Sequence, residues 1–284
     1  MPQAVNDWLH LVFRWLHIIA GVMWIGHLWF FNFVNAQLAK TYDADSKKKV
    51  VPELMPRALY WFRWGAAYTW LTGFLMLGLL YYMGGNLVNE TSQQHLATGV
   101  CIGIIVVVFF VYDVIWKMVK NETVGAIISF IGIIGITIGL GRILSARGLL
   151  IHIGAILGTI MAMNVWMRIW PAQKKIIGGI TGANPAPDAS VAAMAGLRSK
   201  HNTYMSFPLI FLMMSNHFVG NTPIDFINNI GSNLDLKHDL GWAVVGTFVA
   251  VGWIIAKLCY LKSAQPAPKS IGSAPAPAPA PDKK

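Results

Sequence analysis

Histidine is the residue type whose chemistry stands out in this sequence, because several of its eight copies lie inside apolar stretches. The stretch RWLHIIAGVMWIGHLWFFNF, residues 14–33, contains His17 and His27, and the stretch HNTYMSFPLIFLMMSNHF begins with His201 and includes His217. An imidazole can move protons, bind a metal or hydrogen-bond a neighbouring helix. Ionisable groups are costly inside an apolar helix, so we expect several of these histidines to be functional.

The segments that must position these histidines are typical of membrane-spanning helices. Of the 284 residues, 55% are hydrophobic and 12% are charged, which is the profile of a membrane protein. Seven runs are long enough to cross about 30 Å of hydrocarbon, and they lack strand alternation. These runs are 8–36, 60–83, 95–118, 123–143, 148–170, 201–220 and 239–262. We therefore predict an all-α integral membrane protein, a bundle of seven or eight transmembrane helices.

Basic residues cluster in the short segments between the apolar runs, which accounts for the net charge of +10 without a nucleic-acid partner. No basic stripe with interleaved aromatic residues lies outside the runs, so nucleic-acid binding is not expected. The positive-inside rule places the N-terminus outside and the most basic segments in the cytoplasm. Lys117 follows Asp113 by four residues, the spacing of an ion pair on one helix face.

Two stretches lack the apolar pattern of the spans. Residues 171–200 open with Pro171 and contain several glycines and prolines, so we predict a long loop there, with at most a short surface helix. Residues 264–284 are rich in proline and alanine, which predicts a disordered tail or linker. The predicted domains are thus a membrane helical domain over 1–263 and a tail over 264–284.

Three of the histidines are predicted to lie at a similar depth in the bilayer. At a rise of about 1.5 Å per residue, His17 lies a short way below the outer surface and His27 about 15 Å further in. His152 begins the fifth predicted helix from the outside, and His217 lies roughly 24 Å beyond His201, again in the outer half. His17, His152 and His217 therefore form an outer group, and His27 and His201 are candidates for an inner one.

Haem b is the cofactor that best suits this arrangement, because a helix bundle can present axial nitrogens from facing helices to an apolar macrocycle. We predict one haem or two. Zinc would need carboxylate or thiolate ligands that the helices hardly offer, and copper is less favoured because the 13 methionines are scattered through ordinary apolar runs. Cys101 and Cys259 form no CxxCH motif, so a covalent c-type haem of the usual kind is not expected.

Polar residues near the outer group are candidates for binding the rest of a cofactor or a substrate. Arg142 and Arg147 flank the short turn GRILSARG, where they would pair with haem propionates, attract an anion, or simply lie at helix ends with their charges in water. Asn164 and Asn202 bring amide groups into the helices. They would hydrogen-bond a polar heterocycle or, equally, a neighbouring helix.

Three motifs together carry a resemblance to a known family. They are RWLHIIAGVMWIGHLWFFNF, GRILSARGLLIHIGAILGTIMAMNVWMRIWPAQKK and HNTYMSFPLIFLMMSNHF, in this order along the chain. Together they resemble the membrane domain of the bacterial cytochrome-c-linked urate oxidases, or urate hydroxylases, over about residues 8–262. The resemblance implies a multi-pass enzyme of the bacterial inner membrane that acts in purine breakdown. It would oxidise urate to 5-hydroxyisourate and pass electrons through haem to a cytochrome c.

The resemblance also implies roles for particular residues. The histidines that match family positions are His17, His152, His201 and His217. The first, second and fourth of them are the candidates for binding haem iron, with Arg147 beside the cofactor. The catalytic candidates are Arg142, or alternatively Arg147, for stabilising the urate anion, Asn202, or alternatively Asn164, for hydrogen-bonding its ring, and His201 for moving protons.

The resemblance leaves the electron acceptor and one other function open. Members of that family typically continue into a C-terminal cytochrome c domain, and this sequence ends within what resembles the linker to it. We therefore expect a separate cytochrome c as acceptor, and a homo-oligomer or a larger redox complex is compatible with the sequence. The alternative is a non-catalytic haem b subunit that relays electrons between redox partners. A transporter is less favoured, because neither internal repeats nor interrupted helices stand out.

Overall fold

A computed structural model describes residues 2–217, 222–233 and 240–266 of the chain. These residues fold into helices joined by short turns, and none of them forms a strand. The prediction of an all-α membrane bundle is therefore confirmed. The predicted tail over 264–284 lies outside the described residues from position 267 onwards.

The long helices are α1 (Gln3–Trp29), α2 (Ala44–Leu77), α3 (Gln94–Met118), α4 (Glu122–Gly141), α5 (Ala146–Asn164), α7 (Ala189–Met214) and α9 (Gly241–Ser263). Two shorter helices lie between them, α6 (Trp170–Thr181) and α8 (Pro223–Asn233). The cap residues Asp43, Asn121, Ser145 and Asp188 accept hydrogen bonds from backbone N–H groups at the starts of α2, α4, α5 and α7. The bonds from Ser46 and Ser190 lower the pKa of the Asp43 and Asp188 carboxyls.

Five helical segments of the described residues are long and apolar enough to cross a membrane: Ala4–Thr41, Thr91–Met118, Glu122–Gly141, Ala146–Thr181 and Gly241–Ser263. The chain is therefore a multi-pass membrane protein. The other two predicted spans correspond to α2 and α7, which are 34 and 26 residues long. The charged residues of α2 end at Arg63 and those of α7 end at Lys200, so only the later part of each helix is free of Asp, Glu, Lys and Arg.

Three π-helical turns extend or connect these helices. They are Phe30–Asn35 after α1, Gly78–Tyr82 after α2 and Val165–Ile169 after α5. A π turn holds an extra residue and so rotates the side chains that follow it, and such turns are frequent at functional sites. The second π turn carries Tyr81 and Tyr82, and the third carries Arg168, all of which contact polar groups described below.

The predicted long loop over 171–200 is wrong. Pro171 stands in the first turn of α6, where its missing N–H is tolerated, so the chain continues as helix. Gly182 ends α6 in a left-handed conformation with a φ of 75°, and Asp188 caps the start of α7. The irregular segment is therefore confined to the residues between these two positions.

α5 is the central helix of the bundle. α5 lies in the segment Ala146–Thr181, and the most apolar 18-residue stretch of this segment is 78% buried. The corresponding stretches of the other four segments are 11% to 33% buried. α5 packs on α2, α3, α4 and α7, and α9 packs on α4 and α7. α1 lies at the edge and packs chiefly on α2. One face of α1 is therefore left for lipid.

α1 and α2 come into close contact at Gly65. A Cβ atom added there would lie 3.0 Å from the backbone nitrogen of Trp24 and 3.3 Å from the carbonyl oxygen of Ala20. Trp24 is 2% exposed and fills the space beside this contact. Helices approach this closely in a membrane only where one of them has a small residue.

We expect Gly65→Val to weaken the packing of α1 on α2, because the added methyl groups overlap with the α1 backbone. Overpacking of this kind costs about 1–3 kcal/mol, and thermal unfolding in detergent would measure it. Gly99→Val is the matched control, since nothing lies within 4 Å of a Cβ at that position of α3. Equal unfolding temperatures for the two variants would contradict the close contact.

Candidate functional site

A cavity of about 1140 Å³ lies between α1, α2, α5 and α7. It extends along α1 from Arg14 to Trp29, which is roughly 22 Å at 1.5 Å per residue. Common ligand pockets measure about 300–1,000 Å³, so this cavity has room for a large cofactor and a small substrate. Apolar side chains form much of its wall, among them Trp24, Ile25, Trp70, Leu77 and Leu209.

The polar groups of the cavity gather where α2 and α7 end and α5 begins. This end, which we call the mouth, is lined by Arg14, Asn86, Asn89, Ser145, Arg147, His217 and Asp225. Ser145 holds the loop before α3 against the start of α5. Its backbone N–H donates to the Leu87 carbonyl over 2.9 Å, and its hydroxyl donates to the Asn86 carbonyl over 3.0 Å. The cavity thus combines a polar mouth with an apolar interior.

His17 lines the cavity from α1, and its ring lies against α2. A Cβ at Gly73 would be 3.0 Å from His17 Cε1, so the glycine makes space for the imidazole. His17 Nδ1 lies 3.2 Å from Thr72 Oγ1, and the Thr72 hydroxyl donates its proton to the Tyr68 carbonyl over 2.6 Å. We therefore assign Nδ1 of His17 as the donor to Thr72, which leaves Nε2 with a lone pair for a ligand.

Two of the other predicted cofactor-binding residues line the same cavity. His217 does so from the 3-10 turn Ser215–His217 at the end of α7, and Arg147 does so from the first turn of α5. Arg14 joins them because it precedes His17 by three residues and so lies on the same face of α1. The cavity therefore brings two imidazoles and two guanidinium groups together.

His152, the third predicted iron ligand, is not among the residues that line the cavity. It is 1% exposed, its Nδ1 donates to the Gly148 carbonyl over 2.7 Å, and its Nε2 accepts from the Tyr82 hydroxyl over 3.2 Å. Its ring also meets Tyr81 edge-on at 5.8 Å, and Tyr81 does line the cavity. His152 therefore lies one side-chain layer behind the wall, with both nitrogens engaged.

The structure brings none of the three predicted catalytic residues to the cavity wall. Arg142 is exposed at the end of α4, and His201 and Asn202 lie on α7 away from the mouth. Asn202 accepts a hydrogen bond from Asn164 over 2.9 Å and donates to the Met161 carbonyl over 2.9 Å. The sequence left two roles open for Asn164 and Asn202, binding a polar heterocycle or hydrogen-bonding a neighbouring helix. In the structure the two asparagines hydrogen-bond each other between α5 and α7.

A second group of polar side chains lies at the opposite end of the bundle, and most of them are buried. We call it the inner polar cluster, and it consists of Tyr112, Asp113, Lys117, Asn164, Arg168, Arg198, His201 and Asn202. Asp113 is 4% exposed and pairs with Lys117 over 2.7 Å, which confirms the predicted ion pair. It also pairs with Arg198 over 2.9 Å and with Arg168 through both carboxylate oxygens. One carboxylate thereby joins α3, the π turn after α5, and α7.

Tyr112 connects the charged part of the inner polar cluster to its amide part. Its hydroxyl accepts from Asn164 Nδ2 over 3.1 Å and lies 2.7 Å from His201 Nδ1. The guanidinium of Arg198 lies 4.8 Å from the Tyr112 ring centre, and the Trp116 ring lies 3.9 Å from the His201 ring. Among the described residues, Asn164 Oδ1 and Arg198 Nη1 are buried without a hydrogen-bond partner.

The candidate inner pair of histidines, His27 and His201, is not formed. The His201 ring packs between Tyr112 and Trp116 of α3. The His27 ring instead lines a separate groove on α1 and α2. The two imidazoles therefore belong to different surfaces of the bundle.

No group of three or more His, Cys, Asp or Glu side chains in the part of the chain that the structure describes could hold a metal ion. Haem iron needs only one or two ligands from the protein, because the porphyrin supplies the others. His17 and His217 are the imidazoles of the cavity wall that could supply them.

Sequence reasoning missed the residues that hold His17 in place. Arg14 carried a usable signal, because its spacing of three residues from His17 puts both side chains on one helix face. Thr72 lies 55 residues away from His17, and Gly73 follows it. No local sequence pattern links these two positions to the histidine. Only the packing of α1 on α2 in the structure identifies them.

The fold and the cavity define the chain as an all-α, multi-pass membrane protein with a ligand-sized cavity inside its helix bundle. A comparison with models of protein families matches residues 3–230 to the family described as urate oxidase N-terminal. The chain belongs to this family, which confirms the resemblance carried by the three motifs and gives the chain a urate oxidase-related function in general. No curated protein and no solved structure matched the chain.

We expect Asp113→Ala to destabilise the protein by about 3–5 kcal/mol, because it leaves the buried Arg198 without its counter-ion. Thermal unfolding in detergent would measure the loss. Glu53→Ala is the control, since Glu53 is 71% exposed in its pair with Arg57 and such pairs contribute about 0–1 kcal/mol. An Asp113→Ala protein as stable as the control would show that the inner polar cluster does not hold the helices together.

Proposed function

We propose that the chain is a membrane-bound urate hydroxylase with one haem b in the cavity between α1, α2, α5 and α7. It oxidises urate to 5-hydroxyisourate and passes the electrons through haem to a separate cytochrome c, and it resides in the bacterial inner membrane. The proposal rests on one observation: a single apolar-walled cavity of about 1140 Å³ is lined by two imidazoles and two guanidinium groups, those of His17, His217, Arg14 and Arg147.

The side chains of the cavity fit a haem. The macrocycle is apolar and matches the deep walls, which include Trp24, Leu77 and Leu209. Its propionates are anionic and match the guanidinium group of Arg147 at the mouth. His17 offers an Nε2 lone pair whose direction is fixed by the bond from Nδ1 to Thr72, as in other metal-binding histidines.

His17 and His217 are the residues that would hold the haem iron, because both line the cavity from different elements. His152 takes no such role in the proposal, since its Nε2 already accepts a bond from Tyr82. When bound, the haem would accept electrons one at a time and hand them on to the cytochrome c.

The reaction removes two electrons and two protons while water supplies an oxygen: urate and water give 5-hydroxyisourate, two electrons and two protons. Arg14 attracts the urate anion to the mouth and stabilises its charge. Asp225 is the acidic residue among the described side chains of the cavity wall, so its carboxylate is the proposed proton acceptor. His201, the acceptor expected from the sequence, lies in the inner polar cluster instead.

We expect purified protein from haem-replete cells to show a Soret band and a pyridine-haemochrome spectrum with one haem per chain. His17→Ala should lower the haem-to-protein ratio by more than about tenfold, because it removes an iron ligand. His95→Ala is the control, since His95 is exposed at the start of α3. A His17→Ala protein with full haem would contradict the proposed ligand.

Urate turnover distinguishes the enzyme from the non-catalytic relay. Loss of urate absorbance together with reduction of added cytochrome c supports the hydroxylase. A haem that dithionite reduces and urate does not would support the relay alternative instead.

We expect Thr72→Val to act on the haem through His17, because the variant removes the oxygen that orients the imidazole. Haem affinity should fall about 10- to 100-fold, as measured by haem titration of the apoprotein, and the midpoint potential should shift. Thr72→Ser keeps the hydroxyl and should restore both values. If Thr72→Ser and Thr72→Val behave alike, the hydroxyl does not position the ring.

A further inference from the structure

A second, smaller cavity lies on the lipid-facing side of α1. It measures about 450 Å³ and is lined by Val22, Met23, Gly26, His27, Phe30, Leu54 and Ala58. Val22 is 70% exposed. In the segment Ala4–Thr41, which contains α1, only 11% of the most apolar 18-residue stretch is buried. We call this cavity the lipid-facing groove. Its occupant must therefore reach it from the bilayer.

The groove contains one strongly polar group, the His27 imidazole. Its Nδ1 donates to the Met23 carbonyl over 2.7 Å, because a carbonyl oxygen can only accept. Nε2 therefore carries a lone pair, and no hydrogen bond to it is found among the described residues. A polar nitrogen in contact with hydrocarbon is costly unless something bonds to it. The groove thus suits an apolar molecule with an O–H group that can donate a hydrogen bond to Nε2.

The groove borders the large cavity. Val22 and Gly26 line both of them, so the two cavities are separated by little more than the thickness of α1. Gly26 has no side chain, and nothing lies within 4 Å of a Cβ built on it. A redox-active molecule in the groove would lie next to the site that the proposed function assigns to haem.

We propose that the lipid-facing groove binds the ring of a lipid-soluble quinone, which gives electrons from urate a second exit, directly into the bilayer. This inference rests on the proposed function, since that function supplies the electrons. A quinone has a flat apolar ring, two oxygens at its edge and an isoprenoid tail that dissolves in lipid. The ring matches the apolar walls of the groove, and in the reduced form, the hydroquinone, one ring O–H can donate to the lone pair of His27 Nε2.

The electron balance closes without a further reactant. Urate, water and quinone give 5-hydroxyisourate and hydroquinone, so urate is oxidised by two electrons and the quinone is reduced by two. Two protons are released at urate and two are taken up at the quinone oxygens. His27 accepts a hydrogen bond at Nε2 from a hydroquinone O–H, which favours the reduced product in the groove.

Binding is tested first, without any turnover. The full chain in lipid nanodiscs is irradiated under anaerobic conditions with an azido derivative of a short-chain hydroquinone, and the labelled peptides are identified by mass spectrometry. We expect label in residues 22–30 and 54–58, lost when unlabelled hydroquinone is added in excess. His27→Phe keeps the ring volume and should reduce labelling about tenfold, the effect of one lost hydrogen bond.

Two further variants control the labelling experiment. Leu54→Trp should also reduce labelling, because it fills the groove from α2. His95→Phe, at an exposed position outside the groove, should leave it unchanged. Label spread over the lipid-facing helices and insensitive to competition would overturn the proposal. Cross-linked dimers of the chain at these peptides would overturn it too, since a second copy would then occupy the groove.

Electron transfer is tested next in stopped flow. We expect urate to reduce both cytochrome c and a short-chain quinone with the unmodified protein, and His27→Phe to slow quinone reduction about tenfold while cytochrome c reduction stays unchanged. If urate fails to reduce the haem, the proposed function fails. In that case the haem is reduced with dithionite instead, and its reoxidation by the quinone still tests whether electrons can pass from the haem to the groove. A bound quinone that never reoxidises the haem would overturn the second exit.

Discussion

The arrangement of the bundle depends on one buried carboxylate. Asp113 binds cations from its own helix, from the π turn after α5 and from α7. A buried charged group is tolerated only with such partners, and removing the carboxylate would leave the buried Arg198 without a counter-ion. The three elements are thereby fixed relative to each other at one end of the bundle. Tyr112 and the two asparagines extend the same constraint by hydrogen bonds between helices.

The inner polar cluster holds the helices together at one end of the bundle, and the polar mouth of the large cavity lies at the other end. The same helices that the inner polar cluster joins, α5 and α7, separate from α1 and α2 to leave the large cavity. Small residues let the walls approach where they must, as Gly73 does beside His17 and Gly65 does beside Trp24. The mouth then collects side chains from segments far apart in sequence, since it lies where α2 and α7 end and α5 begins.

Sequence reasoning predicted the bundle and the shared depth of the histidines, because both follow from the length and direction of apolar helices. Depth along a helix says nothing about rotation around it. His152 turns towards Tyr82 and the Gly148 carbonyl, so it lies behind the wall. Likewise, the partners of Asp113 that matter most are 55 and 85 residues away. No local pattern contains such pairs.

Rotation around a helix also explains why α1 serves both cavities. His17 and His27 are ten residues apart, which leaves their side chains about a quarter of a turn from each other. One ring therefore faces the interior of the bundle, and the other faces the groove open to lipid. In both, Nδ1 donates to an oxygen fixed by the helices, so both present Nε2 as the open nitrogen. α1 thus carries one imidazole that faces the large cavity and one that faces the lipid-facing groove. Electrons that pass from the cavity to the bilayer by the proposed route would cross this helix.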